Sequence, residues 1–144
     1  MAELLLDATV FEDYRAGNSG AREIIEKAID GSISVSVSSV TVFQLWGDPS
    51  MDRQAEIGSS SVLSFMEQAP LSADAAKRAG RWLATLDPQQ RAALAPLALV
   101  AATAKERGER VCTRDPDAFG PFDADVVGYK GAPSGGEAHG VTRD

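Results

Sequence analysis

Short apolar runs separated by much longer helical patterns constrain the fold of this chain more than any other feature. Residues 3–6, Glu3-Leu4-Leu5-Leu6, read as a short buried strand that breaks at Asp7. Ile33-Ser34-Val35-Ser36-Val37 alternates with a clean period of two and reads as a second strand. Glu109 to Thr113 is a third, and Asp125-Val126-Val127-Gly128-Tyr129 a last, edge strand. Parallel strands cannot be joined by a tight hairpin and need a crossover, usually helical. The alternation therefore predicts an α/β fold with a parallel sheet covered on both faces.

The intervening segments carry helical spacing. Asp7-Ala8-Thr9 opens a helix, because Asp and Thr cap orphan backbone N–H groups, and Val10, Phe11 and Tyr14 continue it. After the loop Gly17-Asn18-Ser19-Gly20, residues Ala21, Ile24, Ile25, Ala28 and Ile29 mark an amphipathic helix that ends at Gly31. Ser38-Ser39 caps a helix over Val40 to Gly47, interrupted by Pro49 and Ser50. A longer segment follows from Met51 to about Met66, with Ile57, Val62, Leu63, Phe65 and Met66 as candidate core positions. Ala69-Pro70-Leu71-Ser72 is a short strand or extended link, and Asp74 to Leu83 a helix with small residues on one face. Pro88 ends that helix or starts the next turn. Pro96 fits the first position of an apolar helix through Leu97-Ala98-Leu99-Val100-Ala101-Ala102-Thr103-Ala104, capped by Gly108 and expected to be central.

Size and charge narrow the function classes. With 144 residues and 44% hydrophobic content, one domain with one closed core is expected, over residues 1–129. Residues 130–144 hold almost nothing to bury and read as a flexible tail; His139, the lone histidine, lies there with nothing to fix its geometry. A formal charge of −7 argues against a broad basic face for nucleic acid, since phosphate contacts need clustered Lys and Arg. The single Cys112 lies in an apolar run and reads as a small buried residue, and no disulfide can form within the chain. Neither a basic leader nor an apolar run of roughly 20 residues is present, so a cytoplasmic protein with no membrane span is expected.

Chemistry is expected where the strands end. In an open α/β sheet, ligands and ions bind beyond the carboxyl ends of parallel strands. Asp7 closes the first strand, and Asp115 follows Arg110-Val111-Cys112-Thr113-Arg114. The order of elements, with Leu4-Leu5-Leu6-Asp7-Ala8-Thr9-Val10, Val37-Ser38-Ser39-Val40-Thr41-Val42-Phe43-Gln44-Leu45, Leu97 to Ala104, and Val111-Cys112-Thr113-Arg114-Asp115-Pro116-Asp117-Ala118-Phe119, resembles a PIN domain, the small nuclease fold of the VapC toxins of toxin–antitoxin pairs. The likeness covers residues 3 to 129.

The resemblance implies a three-layer α/β/α domain with a parallel sheet of four or five strands. It also implies three or four carboxylates at the end of the sheet that hold Mg²⁺ or Mn²⁺ and activate water against an RNA phosphodiester. Carried over by position, Asp7 is the first acid and Asp115 the last, whereas the second position holds Gln44 and the third Leu97. Mg²⁺ takes hard oxygen ligands, and two dications about 4 Å apart need more negative charge than two carboxylates supply. Gln44 offers a carbonyl oxygen and Leu97 nothing. Asp48, one turn beyond Gln44, and Asp117, two residues past Asp115, are the acids placed to substitute as ligands; both also fit turn chemistry. Thr9, Thr113 and Arg114 supply hydroxyls and a cation that position water or substrate near the same cleft, and Arg114 equally suits pairing with a carboxylate left without metal.

Three functions are consistent with this pattern. The favoured one is a degenerate VapC-like protein with lost or weak nuclease activity, retained to bind or regulate an antitoxin-like protein partner through an exposed apolar groove near Val10, Phe11, Tyr14 and Trp46. The alternative is a Mg²⁺- or Mn²⁺-dependent endoribonuclease toxin with a reduced site. The third is a structural homodimer subunit, dimerisation being implied by resemblance alone.

Overall fold

The computed structural model describes residues 2–131. The chain runs β1 (Leu4–Leu6), α1 (Ala8–Arg15), α2 (Ser19–Ile29), β2 (Val35–Ser38), α3 (Ser39–Trp46), α4 (Arg53–Leu63), β3 (Glu67–Ala69), α5 (Ala73–Ala84), α6 (Pro88–Arg107), β4 (Arg110–Cys112), a 3₁₀ turn (Pro116–Phe119) and β5 (Val126–Val127). The five strands form one parallel sheet in the order β3-β2-β1-β4-β5. The expected three-layer α/β/α architecture is therefore present, with two helices between the first two strands and β5 at an edge.

Strand register explains the two cores. Leu6 faces Val37 and Cys112 across its neighbours and packs with Val10, Phe11, Ile25 and Ala28 of α1 and α2. Leu5 points the other way with Val111, against Ala98, Ala101, Ala102 and Ala104 of α6 and Ala75 and Ala79 of α5. The alanines let the α5–α6 pair lie close to the sheet, and Trp82 meets Phe122 with ring centroids 5.6 Å apart. Helix starts follow capping chemistry: Asp7, Asn18, Ser38, Asp52, Ser72 and Asp87 each accept a hydrogen bond from a first-turn backbone N–H. Gly108 ends α6 in the left-handed region at φ 71°, as expected.

Three expectations are corrected. The apolar helix does not start at Pro96. It starts at Pro88, capped by Asp87, and Pro96 lies inside it. Residues 88–93 are exposed, so their polar sequence hides the extra turns; Ala92, whose carbonyl loses its donor at Pro96, is itself exposed and can be hydrated. Leu97 is consequently a mid-helix residue, half-buried, and only the second half of α6 is central. Ile57 and Phe65 are not core positions: they are 60% and 52% exposed, whereas Leu63 and Met66 are buried. The 51–66 segment is helical only over α4.

Lys130 and Gly131 are described, and Asn18 Nδ2 donates to the Gly131 carbonyl. The remainder of the expected tail, with His139, lies outside the described residues. No helix among the described residues is long and apolar enough to cross a membrane.

Candidate functional site

Strand order reverses at β1, which has β2 on one side and β4 on the other, so the crevice beyond the carboxyl ends of β1 and β4 is the topological switch point. Asp7 leaves β1 there, and Thr113-Arg114-Asp115 leaves β4 beside it, with the Asp7 N–H donating to the Cys112 carbonyl at 3.1 Å.

A compact polar cluster joins these two ends. The Asp7 carboxylate caps α1 by accepting from the Thr9 N–H at 3.0 Å and from Thr9 Oγ1 at 2.5 Å. Thr9 Oγ1 in turn accepts from the Arg114 N–H at 2.9 Å and lies 3.3 Å from Thr113 Oγ1. Thr113 Oγ1 accepts from the Asp115 N–H at 3.2 Å. Because the Thr9 proton is directed at Asp7, the Thr113 hydroxyl is the donor toward Thr9 or Asp7. Asp7 is 7% exposed, and burial raises its pKa from 3.8 to about 6 against the lowering effect of the Thr113 and Thr9 hydrogen bonds.

The remaining expected residues sit apart from this cluster. Asp115 is exposed and makes no side-chain cap bond at the 3₁₀ turn that follows, and Asp117 is exposed within that turn. Asp48 lies beyond the end of α3, not on its face: its carboxylate accepts from the Ser50 N–H at 2.8 Å, and this bond, first among its interactions, lowers its pKa. Gln44 is half-buried on α3, one turn after Thr41, whose buried hydroxyl has no hydrogen-bond partner among the described residues. The described residues hold no group of three or more His, Cys, Asp or Glu placed to share a metal ion. No three of Asp7, Asp115, Asp48 and Asp117 are therefore placed to share one ion among the described residues.

This donor set does not fit Mg²⁺ or Mn²⁺. Leu97 offers no donor and Gln44 no charge, and Asp7 uses its Oδ1 to cap α1. Ions that demand several hard, charged oxygens find Asp7 at the end of β1 and the exposed Asp115 and Asp117 after β4, and among the described residues no three acids are placed to share one ion.

Arg114 takes the course left open by its sequence. Its guanidinium turns onto α1, donating to Asp13 Oδ1 at 2.9 Å and to Glu12 Oε1 at 3.4 Å. The Tyr129 hydroxyl also donates to Asp13, and burial first, then that bond, raises the tyrosine pKa. This Asp13–Arg114–Tyr129 clasp escaped sequence reasoning. Asp13 occupies an ordinary polar helix position, and only the return of Tyr129 over α1 buries it. Cys112 is buried and free, as expected, and burial raises its thiol pKa to about 12.

A second feature lies between α1 and α4. A groove of about 210 Å³ is lined by Phe11, Tyr14 and Arg15 on one side and Ala55, Gly58, Ser59 and Val62 on the other. Of the residues expected to line it, Phe11 and Tyr14 do. Val10 is fully buried, and Trp46 instead donates through Nε1 to Glu56 at 3.2 Å.

No protein-family model and no curated protein matches the sequence. Solved structures do match the fold. A chain of the DNA-bound VapBC from Salmonella typhimurium superposes with a TM-score of 0.67 at 19% identity, over 89% of this chain and 98% of that one. A toxin–antitoxin complex from Klebsiella pneumoniae gives 0.66 at 20% identity, over 87% and 96%. VapBC-5 from Mycobacterium tuberculosis gives 0.57 at 24% identity, over 89% and 98%. The fold is that of a VapC-like PIN domain.

Proposed function

We propose that this chain is a PIN-fold protein without an effective metal-dependent nuclease site, and that it works by binding an antitoxin-like protein partner in the α1–α4 groove. The observation that carries the reading is the cleft. Of the four carboxylate positions implied by the resemblance two hold Gln44 and Leu97, and the buried Asp7 uses one of its oxygens, Oδ1, to cap α1. A water cannot be activated there by a dication that the residues do not hold. The groove supports the binding half of the reading: the aromatic α1 side and the small and aliphatic α4 side suit an amphipathic helix presenting apolar anchors. The structural neighbours are chains of complexes described as VapBC or toxin–antitoxin.

The test is co-expression with the product of the adjacent gene. Co-purification that is lost in Val62→Arg, a substitution that fills the groove with charge, supports the reading. An RNA pool offered with Mn²⁺ decides the other half, because cleavage that disappears in Asp7→Ala would establish the ribonuclease alternative instead. Light scattering on the chain alone tests the homodimer implied by the resemblance: a mass of two chains supports it and a mass of one rejects it.

A further inference from the structure

Among the described residues, the sheet face that carries α2 is unevenly covered. Paired positions in parallel strands share a face, so Leu4, Arg110, Cys112 and Val127 all point toward the α2 layer. Ile25 and Ala28 of α2 close the core over β1 and β2. Toward β4 and β5 the cover includes Gly128–Lys130, and a cavity of about 400 Å³ opens between that segment and α2. Its volume falls in the range of small-molecule sites, roughly 300–1,000 Å³. It lies on the flank of the sheet, whereas the Asp7 cleft lies beyond the strand ends.

The lining separates apolar walls from a charged mouth. Leu4, Ile24, Ile33, Val127 and the neutral thiol of Cys112 supply apolar surface. Among the charged residues, Lys27 and Glu23 satisfy each other at 3.1 Å. That leaves Arg110 and Lys130 against Glu3. The exposed Arg110 side chain makes no hydrogen bond or ion pair with any described residue, so its planar fork of donors is open to an anion. A locally positive mouth over apolar walls, in a chain whose formal charge is −7, selects for a particular ligand chemistry.

We propose that this cavity binds a small amphipathic carboxylate, its apolar body against Leu4, Ile33 and Val127 and its carboxylate on the Arg110 guanidinium. The proposal is independent of the partner-binding reading. The probe is octanoate, titrated into the full-length ¹⁵N-labelled chain, with octan-1-ol as the uncharged comparison and Arg110→Gln as the variant. The expected result is a saturable shift confined to amides of Gly20–Lys27, Arg110–Cys112 and Val127–Lys130. Affinity should fall by about tenfold or more for octanol and for Arg110→Gln, the loss expected when a charge-assisted contact is removed. Arg110 is exposed, so the variant should keep the wild-type spectrum elsewhere; the octanol comparison needs no variant at all. Absence of saturable shifts at millimolar octanoate, equal affinity for octanol, or shifts centred on Phe11 and Val62 would overturn the proposal.

Discussion

Burial and charge oppose each other at Asp7. A carboxyl whose folded pKa is about 6, against 3.8 unfolded, holds its proton in the folded state through a pH window where the unfolded chain has lost it. Folding is therefore favoured at the acid end of that window, and the advantage is lost as pH rises through about 6. The rise from 3.8 to about 6 sets an upper bound of about 3 kcal/mol on the cost of the buried charge at neutral pH. Asn caps a helix as well as Asp does and carries no charge. Asp7→Asn is thus expected to stabilise the metal-free protein by about 1–3 kcal/mol at neutral pH and to change it little near pH 4, measured by urea unfolding across pH. A variant less stable than wild type at neutral pH would show that hydrogen bonds to the carboxylate outweigh its burial. The two acids and the two threonines around the cleft were legible in the sequence because they flank strand ends. The Arg114–Asp13 pairing was not, because it depends on where Tyr129 returns over α1.

Helices and their junctions show where sequence patterns succeed and where they mislead. Capping residues marked the starts of α1 and α3 correctly, but two prolines both suited the first turn of α6, and the helix starts at the one that follows the Asp87 cap: residues 88–93 stand in solvent while Ala98 to Ala104 meet the sheet. Exposure likewise defeated Ile57, whose apolar character is no guide to which face of a short helix turns inward, and Phe65, which lies in the turn after α4. Glycine gives a sharper test of element contacts. A Cβ on Gly20 would lie 1.8 Å from the Lys130 carbonyl oxygen, so the closing segment crosses α2 where only glycine permits it. Gly58 and Gly80 are helical, and a Cβ added at either would meet nothing within 4 Å. Gly20→Ala is expected to destabilise by about 1–3 kcal/mol through forced displacement of that segment. Gly58→Ala and Gly80→Ala are expected to stabilise by up to about 1 kcal/mol through helix propensity. Chemical denaturation of the three variants reads the contrast, and a neutral Gly20→Ala would mean that the crossing at Lys130 gives way easily. Removing the α6 cap with Asp87→Ala is expected to cost about 1 kcal/mol in the same assay.

Across the whole molecule, the parallel α/β architecture was legible because strand alternation and crossover length leave few alternatives, and the switch point then fixed where Asp7 and Thr113–Asp115 would meet. Cavities and grooves were less legible, since they depend on how α2, α4 and the closing segment fail to cover their neighbours. At this scale the chain has a PIN-like fold, and the proposed reading is that its cleft lacks the charge to hold a catalytic dication. Calorimetric titration of Mn²⁺ into the wild type and into Gln44→Glu with Leu97→Asp tests this most directly. The prediction is no saturable binding by the wild type at millimolar metal, and saturable binding, at least about tenfold tighter, once the two carboxylates are restored. Saturable wild-type binding that Asp7→Ala abolishes would contradict it and return the chain to the metal-dependent nucleases.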